Sequence, residues 1–105
     1  MNWIFGKSKI KKISTSELKN VYLPDKKENY FLDVRTRAEF SGQSIPGFIN
    51  IPLQTLSEHL SKIPKDKELV VICQSGMRST LACKLLTRAG YEHVINVRGG
   101  MNRWF

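Results

Sequence analysis

The chain has 105 residues, 41% hydrophobic and 25% charged, with a formal net charge of +8. That length suits one domain around a modest core, and no apolar run approaches the roughly 20 residues of a membrane span. Two cysteines, Cys73 and Cys83, are too few for a disulfide framework, and the apolar cluster near the start is shorter than the roughly 7–15 residues a secretion signal needs. A reducing cytoplasm is therefore expected, with both cysteines as free thiols. The positive balance favours small anionic substrates, or an acidic partner protein. The aromatics are scattered and no basic recognition motif is visible, so nucleic-acid binding is not expected.

In chain order, residues 1–12 form a basic N-terminal extension ahead of a domain over 13–105. Lys7, Lys9, Lys11 and Lys12 follow Trp3, Ile4 and Phe5, three residues that could dip into an anionic membrane surface. The plainer reading is a frayed terminus or an edge packed on the domain, and it is preferred. "KKIS" (11–14) predicts a short first strand, and Ser14 with Glu17 three residues on predicts a capping box opening a helix near 15–19. "YFLDV" (30–34) reads as a strand, "TRAEF" (36–40) as one or two helical turns and "INI" (49–51) as a strand. "LQTLSEHLSKI" (53–63) puts Leu53, Leu56, Leu60 and Ile63 on one helical face. "LVVIC" (69–73) is the strongest strand. Over 78–89, Ala82, Leu85, Leu86 and Ala89 keep helical spacing, and Gly90 supplies a stop. "VINV" (94–97) is a last strand, and Gly99-Gly100 predicts a tight turn that lets a final short helix, with Trp104 as anchor, pack closely. Most strands are apolar throughout rather than alternating. That pattern fits a mainly parallel sheet covered on both faces, an α/β fold.

The stretch "VVICQSGMRST" (70–80) carries the chemistry. Ligands of open α/β sheets bind beyond the carboxyl ends of the strands, and Cys73 stands at such an end. Gln74, Ser75, Gly76 and Met77 can curl so that backbone N–H groups face inward as an anion nest. The helix expected from Arg78 or Ser79 adds its unpaired N–H groups and positive dipole end. Such a cradle stabilises a thiolate, the nucleophilic form of cysteine. Arg78 offers a planar charged donor for an oxyanion, or holds the loop in shape through Asp33 or Glu39. The bland reading, a buried structural cysteine, does not account for the glycine, arginine and serine that follow. Asp33 and Arg35 end the 30–34 strand on the same edge, as a structural ion pair or as pocket lining, and the ion pair is preferred. Cys83 falls inside a helix and reads as a small core residue rather than a resolving thiol. His59 and His93 are isolated, and no metal site is read.

"FLDVRTRAEF" (31–40), "IPGFINIPL" (45–53), "VVICQSGMRS" (70–79) and "VRGGMNRW" (97–104) together resemble the single-domain rhodanese-like sulfurtransferases, in the family's order and near its spacing. The resemblance implies a central, mainly parallel five-stranded sheet flanked by helices on both faces. It implies a Cys73 persulfide that moves a sulfane sulfur from an anionic donor, thiosulfate or a persulfide, to a thiol or cyanide, with no metal or organic cofactor. The loop from Cys73 to Arg78 has four intervening residues, the sulfurtransferase length; the related cell-cycle phosphatases place five there to fit a phosphate. A cysteine-dependent phosphatase or arsenate reductase is therefore the less favoured enzyme. A sulfur-carrier or docking module with little small-molecule turnover is the alternative of a different kind. Two departures from the family pattern stand out. Gln43-Ser44 precede Ile45 where Gly-His is common, and Gln74 and Met77 stand where a second cation sometimes occurs.

Overall fold

Strand residues alternate between two apolar layers, and that alternation builds the molecule. The computed structural model describes residues 10–104. It contains five strands: β1 (Ile10–Ile13), β2 (Asn29–Asp33), β3 (Ile49–Asn50), β4 (Glu68–Ile72) and β5 (Val94–Val97). They form one sheet in the order β1-β5-β4-β2-β3, and every adjacent pair is parallel. Leu69, Val71 and Cys73 face one layer with Leu32, Val34, Ala82, Cys83 and Leu86. Val70 and Ile72 face the other with Ile13, Phe31, Ile95, Val97 and Met101. With period two along each strand, both faces are apolar, so β4 has no polar alternation to show. The expected sheet, covered on both faces, is the one found. The segment of Trp3, Ile4 and Phe5 lies outside the described residues.

Helix ends follow local chemistry. Ser14 Oγ accepts the Glu17 N–H and Glu17 returns a bond to the Ser14 N–H, the expected capping box, at the start of α1 (Thr15–Glu17). That helix runs into a π-helical turn over Leu18–Tyr22, which buries Leu18 and Tyr22 under the sheet. A second capping box, Thr36 with Glu39, opens α2 (Arg37–Gly42). The longest helix, α3 (Met77–Arg88), starts slightly before the expected position, capped by Gly76. Over Leu53–Lys62 the chain is 3₁₀-helical rather than α-helical, with His59 out of helical geometry (φ −122°, ψ 20°). The pairs Leu53/Leu56 and Leu60/Ile63 are each three residues apart, and side chains so spaced eclipse in a 3₁₀ turn. Two such pieces joined at His59 put Leu56 and Ile63 into the layer beneath α3. After β5, Gly99 and Gly100 turn the chain into a 3₁₀ helix over Gly100–Arg103, with Trp104 half-buried behind it.

Candidate active site

All five strands run the same way, so their carboxyl ends share one edge. Cys73 follows β4 there and is 1% exposed. Its Sγ accepts the Gly76 N–H at 3.0 Å and lies 3.4 Å from Ser79 Oγ. Gly76 reaches back to the sulfur through a left-handed backbone (φ 109°), a conformation glycine adopts without penalty. The same residue caps α3, whose first amides have no acceptor within the helix. Negative charge on the sulfur therefore faces one N–H directly and the positive end of a twelve-residue helix behind it.

Beneath the sulfur is a buried polar relay. Ser79 Oγ lies 2.6 Å from Asn96 Oδ1 and 3.1 Å from the Gly76 carbonyl oxygen. Asn96 Nδ2 donates to Thr80 Oγ1 at 3.1 Å, and the Thr80 hydroxyl donates to the Gly76 oxygen at 2.7 Å. With its one proton on Asn96 Oδ1, which keeps the hydroxyl in place, Ser79 can accept from the Cys73 thiol. Each buried polar group in this relay has a partner, the condition for burying it at little cost.

The loop is clamped from two sides. The Cys73 carbonyl accepts the Met101 N–H and the Gln74 carbonyl accepts the Asn102 N–H, each at 2.9 Å. A Cβ at Gly100 would collide with the Cys73 carbonyl oxygen, so only glycine allows this approach. From the other side, Arg35 and Asp33 form a buried pair, with Nη2 to Oδ2 at 2.8 Å and Nε within 3.1 Å of both carboxylate oxygens. Arg35 also donates to the Gln43 carbonyl at 2.6 Å and to Gln74 Oε1 at 3.2 Å. Gln74 Nε2 continues to Asn102 Oδ1 at 2.7 Å. Asp33 and Arg35 are thus an ion pair that ends in the thiol loop.

Arg78 makes a forked contact with Glu39, Nη1 to Oε1 at 2.7 Å and Nη2 to Oε2 at 2.9 Å, tying α3 to α2. The Arg78 guanidinium, then the Thr36 amide, holds the Glu39 carboxyl down at about 2. Ser75 and Met77 have exposed side chains on the outer rim. Cys83 is fully buried in α3, and burial, with the neighbouring Cys73 sulfur second, pushes its thiol up to about 12. Among the described residues, no three His, Cys, Asp or Glu side chains cluster as metal ligands.

Of the residues expected from sequence, Cys73, Gly76 and Ser79 come together at the sulfur, and Gln74, Asp33, Arg35 and Arg78 surround it. Asn96, Thr80 and Asn102 were not anticipated. The one available signal was Asn96, an amide inside the otherwise apolar "VINV".

A parallel sheet with a cysteine loop at its carboxyl edge, the sulfur bonded by the Gly76 N–H at the start of a helix, defines a class of α/β domains. Residues 14–105 match the Rhodanese-like domain family, and the chain belongs to it. A sulfurtransferase of Allochromatium vinosum is 38% identical over 89 residues, spanning 85% of this chain and 83% of that protein. The crystal structure of a rhodanese-like domain protein from Staphylococcus aureus superimposes with a TM-score of 0.83 at 34% identity, covering 91% of this chain and 92% of that one. A NAD-dependent persulfide reductase from A. fulgidus is similar over 91% of this chain but only 16% of its own, with a TM-score of 0.73 at 38% identity.

Proposed function

We propose that the protein is a sulfurtransferase working through a persulfide on Cys73. The observation that carries this reading is the 3.0 Å contact from the Gly76 N–H to Sγ inside a four-residue loop at the sheet edge. In the first half-reaction the Cys73 thiolate attacks the sulfane sulfur of thiosulfate. A Cys73–sulfur bond forms, the donor S–S bond breaks, and sulfite leaves with the electron pair. The anionic outer sulfur then sits against the Gly76 N–H and the start of α3, where preorganised donors need no rearrangement. In the second half-reaction an acceptor thiolate attacks that sulfur in its protonated form. A new S–S bond carries the sulfur away, and Cys73 departs as the thiolate it began as. Similarity to a sulfurtransferase over most of both chains supports the reading.

Intact-mass spectrometry after incubation with thiosulfate tests it. The wild type and Cys83→Ala should gain one sulfur atom and release thiocyanate with cyanide, while Cys73→Ser should do neither. Loss of both properties in Cys83→Ala would overturn the single-thiol mechanism. An aryl phosphate in parallel should be hydrolysed only at background, because the loop has one residue fewer than phosphate cradles of this kind. Cys73-dependent phosphate release would favour the phosphatase reading, and loading without turnover the carrier reading.

A further inference from the structure

A basic cleft opens on the same edge as the thiol. It has a volume of about 290 Å³ and is lined by Ser14, Thr15, Arg98, Gly99 and Arg103. A second hollow of about 320 Å³ continues it through Thr15 and Arg103 towards Lys19. Among the described residues no acidic side chain lines either hollow, the nearest by bonding being Glu17, whose carboxylate is turned onto the Ser14 N–H at 2.9 Å. Arg98 and Arg103 are both exposed, and the ion pairs among the described residues belong to Arg35 and Arg78 instead. The two arginines beside the loop are thus paired with carboxylates, whereas among the described residues no ion pair holds either cleft arginine.

The cleft is built, not incidental. Thr15 Oγ1 donates to the Arg103 carbonyl at 3.0 Å, fixing that backbone to α1. The Arg103 stem lies across Gly99, where a Cβ would collide with Cγ. Gly99 in turn abuts the thiol loop: a Cβ on Gly76 would stand 3.5 Å from the Gly99 nitrogen. Cys73 follows β4, Arg98 follows β5 and Ser14 follows β1, and these strands are consecutive in the sheet. At about 4.8 Å per strand, the cleft begins one strand from the sulfur and ends two strands away, roughly 10 Å.

We propose that this cleft binds the carboxylate arm of a small thiol acceptor, with Arg98 and Arg103 as the carboxylate partners. Guanidinium groups match carboxylates in forked geometry, and roughly 10 Å is the reach of a short peptide. The proposal rests on the Cys73 persulfide reading and names its acceptor class. With the arm seated, the acceptor thiolate attacks the outer sulfur of Cys73–S–SH. An acceptor persulfide forms, the Cys73–S bond breaks, and Cys73 keeps the electron pair.

Two measurements separate the cleft from the chemistry. S-methylglutathione, a peptide with two carboxylates and no free thiol, is titrated into the protein and followed by amide NMR shifts. Shifts at Ser14, Thr15 and Gly99, with binding weakened roughly ten- to a hundredfold by combined Arg98→Ala and Arg103→Ala, are expected. Persulfide-loaded protein is then discharged in single turnovers by glutathione and by neutral 2-mercaptoethanol. The double variant should slow discharge to glutathione by a similar factor and leave 2-mercaptoethanol within about twofold. Both substitutions are on exposed side chains, and an unchanged amide spectrum confirms the fold. Protein that loads Cys73 but discharges to both thiols alike in wild type and variant overturns the cleft. So does an absence of S-methylglutathione binding. Arginine-dependent binding in protein that never loads Cys73 keeps the cleft and overturns the sulfurtransferase reading.

Discussion

Arg78 has two of its N–H groups on the Glu39 carboxylate, which leaves it poorly placed to greet a substrate anion. Arg78→Ala should therefore lower turnover of thiosulfate and of a neutral donor alike, because what is lost is the tie between α3 and α2. Glu39→Gln should reproduce the effect in weaker form. The pair also has a pH signature. The folded-state carboxyl is lowered from an ordinary 4.5 to about 2, so its contribution to stability is complete above pH 4.5 and fades as pH falls towards 2. Both side chains are about one-third exposed (33% and 34%), so solvent screening keeps that contribution to at most about 1 kcal/mol. Urea melts of wild type and Glu39→Gln at several pH values should differ above pH 4.5 and converge near pH 2. A difference that grows on acidification would contradict the assignment.

At the scale of elements, the thiol loop depends on a turn far away in sequence. Gly100 starts the 3₁₀ helix over Gly100–Arg103 at a left-handed φ of 56°, pressed on the Cys73 carbonyl. Gly100→Ala should cost about 1–3 kcal/mol through overpacking and strain, and persulfide loading should fall with it. Normal melting temperature and loading would show that the turn relaxes freely. The strands were legible because apolar runs such as "LVVIC" have few other uses, and the loop because glycine, arginine and serine follow Cys73 at short range. The 3₁₀ form of Leu53–Lys62 was not, since apolar residues at 53, 56, 60 and 63 suit either helix. The Thr36–Glu39 box was readable by the rule that found Ser14–Glu17, yet its second task, holding Arg78, is not local. The same holds for Asn96 and Ser79, which are 17 residues apart in sequence and meet only when β5 lies beside β4.

Across the whole molecule, charge and edge geometry act together. A net charge of +8 attracts anions at long range, and the exposed cleft arginines extend that field to the working edge of the sheet. Raising sodium chloride from about 0.02 M to about 0.5 M shortens the Debye length several-fold. The kcat/KM for thiosulfate or a dicarboxylate thiol should then fall several-fold, while that for a neutral thiol should hardly change. Equal salt responses would show that the charge acts on folding or solubility and not on encounter.

The bonds from Met101 and Asn102 to the Cys73 and Gln74 carbonyls have a consequence for synthesis. A ribosome makes Cys73 more than twenty residues before the turn that shapes its loop. A nascent chain halted before Gly100 carries Cys73 but not the clamp on its loop, and β5, which brings Asn96 under Ser79, also arrives late. The Cys73 loop is thus complete only after the residues at 96–102 have been made. Until then the cysteine stands in a loop that nothing from the Gly100–Arg103 turn holds in shape.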